Sequence, residues 1–143
     1  MPLDEELRIV RNYLDIERVR FGERLRYEIS ADAPAALARV PRLAVQTLVE
    51  NSVKYAVSPR REGASIAVRA AASNGHVRIE VEDDGPGFDA TVMPDGHGLA
   101  LVRERLAMTL GDNASLEIDS RAGRTVIVIH APSPARPDES QSS

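Results

Sequence analysis

At 143 residues the chain is long enough for one domain with its own core, and its hydrophobic share of 43% and charged share of 28% are ordinary for a soluble globular fold. The formal net charge of -4, with no basic stripe interleaved with aromatics, argues against a nucleic-acid surface. Cysteine is absent, which excludes disulfides, thiolate metal sites and a cysteine nucleophile, and no apolar run approaches the ~18 residues of a membrane span. The N-terminus, Met1-Pro2-Leu3-Asp4-Glu5-Glu6, lacks a signal-peptide pattern, so membrane attachment is expected to come from sequence outside this chain. Aromatics make up only 3%, so Val, Leu, Ile and Ala must build the core.

Residues 4–21 read as a helix. Leu7, Val10, Leu14 and Phe21 mark one side, Ile9, Tyr13 and Ile16 widen the stripe, and the remaining Glu and Arg form a solvated face with helix-spaced ion pairs. Gly22 ends it. Leu25, Tyr27 and Ile29 alternate as a short strand, and the Ala- and Pro-rich stretch 30–39 reads as a loop with room for one helical turn. Residues 41–57 give the strongest helix pattern, with Pro41 in its first turn and Val45, Leu48, Val49, Ser52, Val53 and Ala56 facing the core. At ~100° per residue, Thr47, Asn51, Lys54 and Tyr55 fall on a different face.

A basic loop over 58–63 follows. Ile66, Val68 and Ala70 form a strand, Ser73-Asn74-Gly75 signals a hairpin turn, and residues 76–82 alternate as the next strand. The turn Asp83-Asp84-Gly85-Pro86-Gly87 comes next, then a short irregular loop over 88–95. Gly96-His97-Gly98 opens a helix with Leu99, Val102, Leu106 and Leu110 as core positions, closed by Gly111. Two strands, one with Leu116 and Ile118 and one over 125–130, complete the body. From Pro132 the tail is Pro-, Ser- and charge-rich and is expected to be disordered. The order predicts an α+β fold, a mostly antiparallel sheet of about five strands covered on one face by three helices.

The chemistry gathers around Asp83. It keeps the apolar parity of Val77, Ile79 and Val81, so a carboxylate is carried to the buried side at a strand's end, which is costly without hydrogen-bond partners. An ionised carboxylate accepts only, and so favours a base bearing an exocyclic amine. Asn51 offers an amide oxygen suited to Mg²⁺ carried by phosphates, Lys54 a mobile cation for phosphate, and Tyr55 a ring for stacking. Gly96 and Gly98 precede a helix whose free N–H groups and dipole favour an anion. Together these residues describe a pocket that reads base, metal and phosphates in turn.

The chain resembles the ATP-binding domain of the GHKL superfamily (gyrase, Hsp90, histidine kinase, MutL), and within it the LytS-type sensor histidine kinases. Leu48-Val49-Glu50-Asn51-Ser52-Val53-Lys54-Tyr55 is similar to the N box, Asp83-Asp84-Gly85-Pro86-Gly87 to the Asp-x-Gly-x-Gly box, and Gly96-His97-Gly98-Leu99 to the second glycine box. Gly123-Arg124-Thr125-Val126 resembles the closing Thr element, and Tyr13-Leu14-Asp15-Ile16-Glu17 with Arg20-Phe21-Gly22 resembles the LytS-type approach to the domain. The resemblance implies a Bergerat-type two-layer α/β sandwich with a mixed sheet. It implies ATP and Mg²⁺ as cofactors: Asp83 on the adenine amine, Asn51 on Mg²⁺, Lys54 on phosphate and Tyr55 against the base. Gly85 and Gly87 would shape the pocket and hinge its lid, and Gly96 and Gly98 would present N–H groups to phosphates, with His97 and Leu99 in the same box. Thr125 would support the adenine end, and Glu50 would act beside Asn51 in catalysis.

Three positions depart from the pattern. Thr47 stands where LytS-like chains commonly have Pro, Tyr55 where they have His, and Arg124 where a Gly precedes the Thr. Gyrase-like hydrolases place a Glu base at the spacing of Thr47, so efficient stand-alone hydrolysis is not expected. None of His76, His97 and His130 lies on a dimerisation helix, so the phosphoryl acceptor is expected upstream, with residues 1–22 leading in from a dimerisation region, 23–132 forming the ATP-binding domain and 133–143 a tail. The resemblance then implies a homodimeric, membrane-anchored sensor with a cytoplasmic kinase domain that passes phosphate to a response regulator. Two other readings stand beside it, a stand-alone anti-sigma-factor serine kinase and a degenerate interaction module.

Overall fold

The computed structural model describes residues 1–85, 96–111, 114–121 and 123–132, with 96–99 described in backbone only. The lid 88–95, Gly87 and the tail 133–143 lie outside the described residues.

Helix α1 (Leu3–Phe21) carries Asp4, Glu5 and Glu6 in its first turn and Arg18 and Arg20 in its last, a charge order that suits the helix dipole. Gly22, at φ +58°, caps it by donating its N–H to the Arg18 carbonyl. After a 3-10 turn (Gly22–Arg24), strand β1 (Leu25–Ala31) leads to the one-turn helix α2 (Ala33–Ala36) and then to α3 (Ala44–Ser52). The α3 helix continues as a π-helical turn, Val53–Val57, closed by a 2.8 Å bond from Ser58 N–H to the Val53 carbonyl. The remainder is β2 (Ala64–Ser73), β3 (His76–Asp83), α4 (Gly96–Leu110), β4 (Ser115–Arg121) and β5 (Arg124–Pro132). β2 and β3 are joined through Asn74 and Gly75 at φ +51° and +81°, the paired positive angles of a type I′ turn.

The five strands form one mixed sheet in the order β1-β2-β3-β5-β4. Only β1 and β2 run parallel, and the helical segment between them supplies the crossover that such a pair requires. The other three pairings are antiparallel. Ile66, Val68, Val77, Ile79, Val81, Leu116, Ile127 and Ile129 point to the face covered by α1, α3 and α4 and are buried with Leu3, Val10, Leu14, Leu48, Val49 and Leu106. The predicted two-layer α+β architecture is therefore the one observed.

The opposite face is a lattice of charge. Arg69 pairs with Glu82 at 2.8 Å and Glu80 at 3.4 Å, Arg124 with Glu82 at 2.9 Å, and Arg78 with Glu80 at 2.7 Å. The two arginines hold the Glu82 carboxyl below its ordinary range, the Arg124 bond acting most strongly. Val126 and Val128 point to this face yet are buried. Long side chains on the neighbouring strands can shield central-strand valines with their methylene stems while keeping their charges in water.

Three expectations need correction. The second core helix begins at Ala44, not Pro41, because Leu43 takes a left-handed conformation at φ +67° that breaks the helical path. Glu6 does not belong to a solvated face: it is fully buried, its carboxylate accepting from the N–H groups of Leu43, Val45 and Gln46, whereas Ile16 is largely exposed rather than a widening of the core stripe.

Candidate functional site

Asp83 ends β3 on the helix-covered face, as its parity requires, and is 6% exposed. It lies in register between Ile66 of β2 and Thr125 of β5. Its carboxylate is anchored on both oxygens. Ser52 Oγ donates to Oδ2 at 2.8 Å, and the Gly85 N–H donates to Oδ1 at 3.0 Å. Burial pushes the Asp83 pKa up from its ordinary 3.8, while the Ser52 and Gly85 bonds oppose that shift. Two bonds leave an ionised carboxylate with further lone pairs to offer. Asp84 points the other way: it is exposed, and its Oδ1 accepts from the Ser65 N–H at 2.8 Å, tying the end of β3 to the start of β2.

Gly85 is where the turn meets the helix layer. A Cβ there would overlap the Ala56 Cβ and lie 3.0 Å from both Ala56 Cα and Asp83 Oδ1. Only glycine allows the backbone to pass this close to the π-helical turn. That turn carries Lys54, which is exposed, and Tyr55, which is half-buried, with the Lys54 ammonium 5.2 Å from the Tyr55 ring centre. A π-helical turn is rare, and where it occurs it is frequently at a functional site.

One turn earlier on α3, Asn51 is half-buried beside Ser52. Glu50 is exposed and accepts from Gln46 Nε2 at 3.4 Å. Burial chiefly, and then Glu17 and Glu50, push the Tyr13 hydroxyl of α1 up to about 12. Thr125 is buried opposite Asp83, with its hydroxyl 2.9 Å from Ser120 Oγ. Among the described residues, no group of three or more His, Cys, Asp or Glu could hold a metal ion.

The structure thus brings Asp83, Gly85 and Thr125 together at one end of the sheet, against the helix that carries Glu50, Asn51, Lys54 and Tyr55. Gly96, His97, Gly98 and Leu99 form the first turn of α4, described in backbone only, and Gly87 lies outside the described residues. Of the other histidines, His76 opens β3 and is exposed, and His130 of β5 sits 3.4 Å from Glu117. Ser52 is the site residue that sequence reasoning missed. Its signal was present: it is the one hydroxyl on the otherwise apolar stripe of Val45, Leu48, Val49, Val53 and Ala56.

Comparison with known proteins places this arrangement. The model of the histidine kinase-, DNA gyrase B- and HSP90-like ATPase family matches residues 37–135. The chain belongs to this family. Among curated relatives, the sensor histidine kinase YesM of Bacillus subtilis is 38% identical over 137 residues, which cover 92% of this chain and 24% of that protein. The sensor protein LytS of Staphylococcus haemolyticus is 32% identical, covering 93% of this chain and 25% of the relative. The chain therefore spans about a quarter of the length of the curated relatives it matches. Among solved structures, the catalytic domain of the histidine kinase ThkA superposes with a TM-score of 0.73 at 16% identity, covering 93% of each chain. The family's fold is thus shared where little sequence is, which fits a site held by a few anchored residues on a common sheet.

Proposed function

We propose that this chain is the ATP-binding catalytic part of a sensor histidine kinase, donating the γ-phosphoryl group to a histidine carried elsewhere in the parent protein. The observation that carries the reading is the buried Asp83 carboxylate, fixed by Ser52 and Gly85 with acceptor capacity to spare, next to a helix bearing an amide, a cation and a ring. A buried carboxylate needs a donor to offset its desolvation, and an adenine amine is such a donor. Tyr55 would lie against the base and Lys54 would meet phosphate. Thr125 would hold the sheet end of the pocket beside Asp83.

Asn51 offers the amide oxygen that suits Mg²⁺ bound through phosphates. When bound, Mg²⁺ would neutralise charge on the phosphates. Glu50 is exposed, so its carboxylate can accept a hydrogen bond from an incoming acceptor. Gly85, Gly87, Gly96, His97, Gly98 and Leu99 would complete the cradle. Catalysis on this reading is positioning and charge stabilisation, with no covalent step on the chain itself. On this reading the parent would be a homodimer with a dimerisation region, and its partner a response regulator. ThkA, a solved neighbour of this fold, has been seen in complex with the response regulator TrrA. No helix among the described residues is long and apolar enough to cross a membrane; on this reading a membrane anchor would belong to the parent protein.

Calorimetric titration with a non-hydrolysable ATP analogue and Mg²⁺ tests the pocket. Asp83→Ala is expected to lose charge-assisted hydrogen bonding worth ~1.5–3 kcal/mol, about ten- to hundredfold in affinity. Unchanged affinity in that variant would refute the assignment of Asp83. Mixing the chain with the histidine-bearing region of its parent and labelled ATP tests the transfer.

A further inference from the structure

The helix that carries Asn51, Lys54 and Tyr55 is held at both of its ends by one N-terminal unit. At its start, α3 has no side-chain cap of its own. The Glu6 carboxylate of α1 takes that place. Oε1 accepts from the Leu43 N–H at 3.0 Å, and Oε2 from the Val45 and Gln46 N–H groups at 3.1 and 3.2 Å. Glu6 is fully buried, so these bonds and the positive end of the α3 dipole are what offset its desolvation.

At the other end the π-helical turn releases carbonyls, and Arg24 collects them. Its Nη2 donates to the carbonyls of Val57 at 3.1 Å, Ser58 at 2.9 Å and Arg60 at 2.9 Å, and its Nε donates again to Arg60 at 3.2 Å. The guanidinium also rests 5.1 Å from the Phe21 ring centre, so it is fixed to the last turn of α1. Its backbone leaves no room for a side chain at Gly63. A carboxylate at the N-terminal pole and a guanidinium at the C-terminal pole match the sign of the helix dipole at each end.

We propose that α1 and the turn after it act as a two-ended clamp on the site helix, with Glu6 and Arg24 as positioning residues for the nucleotide site. The inference rests on the nucleotide reading of that site. The proposed pocket includes neither residue. Each fixes an end of a helix whose middle and last turn face it, so a displacement of α1 moves Asn51, Lys54 and Tyr55 as one body. By linkage the coupling runs both ways: occupancy of the pocket tightens the grip on α1, and loosening α1 weakens the pocket. Strain or rotation delivered to α1 is thereby converted into a change of nucleotide affinity.

The test compares Glu6→Gln and Arg24→Lys with Leu14→Ala, a core change on α1 that removes no bond to α3. Gln keeps one acceptor oxygen and Lys keeps a charge without the fork, so both variants are mild enough to fold. Binding of a non-hydrolysable ATP analogue with Mg²⁺ is read by calorimetry, and amide exchange is read without nucleotide. Glu6→Gln and Arg24→Lys are expected to weaken the analogue about fivefold or more beyond Leu14→Ala at matched loss of Tm. In Glu6→Gln, exchange should also rise at the far end, over 53–57. Affinity that follows Tm alone overturns the clamp, as does an exchange change confined to 43–46. If the parent chain binds no nucleotide, the site reading fails, and exchange over 53–57 in Glu6→Gln still decides whether the two ends are coupled.

Discussion

Asp83 concentrates the conflict between folding and binding in one side chain. Burial raises its pKa above 3.8, so the native state holds a proton that the unfolded chain would already have released. Stability therefore falls as pH rises from 3.8 through the raised native value, and the cost remains at neutral pH. Asp83→Asn removes that charge while its amide can still bond Ser52. The variant is expected to match or exceed the parent in thermal stability at pH 7, with the gap closing as pH approaches 3.8. It should nonetheless bind the ATP analogue more weakly, because an amide cannot replace the ionised acceptor. Melting curves across pH and a titration at pH 7 check the two halves separately. Gly85 carries the complementary demand on space. Gly85→Ala would press a methyl onto Ala56 and the Asp83 carboxylate, and overpacking of this kind costs about 1–3 kcal/mol. Chemical denaturation should report that loss, accompanied by weaker nucleotide binding.

Among the elements, the site helix has no side-chain cap of its own at its start. The α2 helix shows the ordinary case. Asp32 precedes it and accepts from the Ala35 N–H at 2.8 Å, and the same carboxylate accepts from the Ala72 N–H of β2 at 3.1 Å. Asp32→Ala should cost ~1–2 kcal/mol in stability. It should leave nucleotide affinity unchanged, because Ala72 lies at the far end of β2 from Ile66, the partner of Asp83, ~20 Å along the strand. Equal losses in stability and affinity would show that the sheet transmits strain along its length. The helix and strand patterns themselves were legible: α1, the type I′ hairpin and the parity that buries Asp83 all follow from local sequence. The start of α3 was not, since Pro41 is a valid first-turn residue and nothing local says that a carboxylate 37 residues earlier will hold the Leu43 N–H.

At the level of the whole molecule, α1 is part of the core. Leu3, Leu7, Val10, Leu14 and Phe21 are buried with the residues of the sheet. Burying such side chains contributes roughly 1.5–3 kcal/mol each, so together they rival the 5–15 kcal/mol of a typical domain. Removal of residues 1–22 is therefore expected to leave a chain without cooperative unfolding, as judged by circular dichroism on heating. A sharp transition in the truncated chain would show that the rest of the fold stands without α1.

The sequence by itself determined the α+β class and the strand parities, which depend on periodicity and on short-range backbone chemistry that a linear chain displays directly; its boxes, in their order, carried the resemblance to GHKL ATPases. The tertiary structure decided what lies next to what. It turned Ser52 from a core filler into the partner of Asp83, and showed why position 85 must lack a Cβ. It also took Glu6 from a solvated helix face into the core and set it and Arg24 at the two ends of the site helix. Each of these depends on a contact between residues far apart in the chain, and the energy of a buried charge is set by the partner that packing brings to it rather than by its neighbours in sequence.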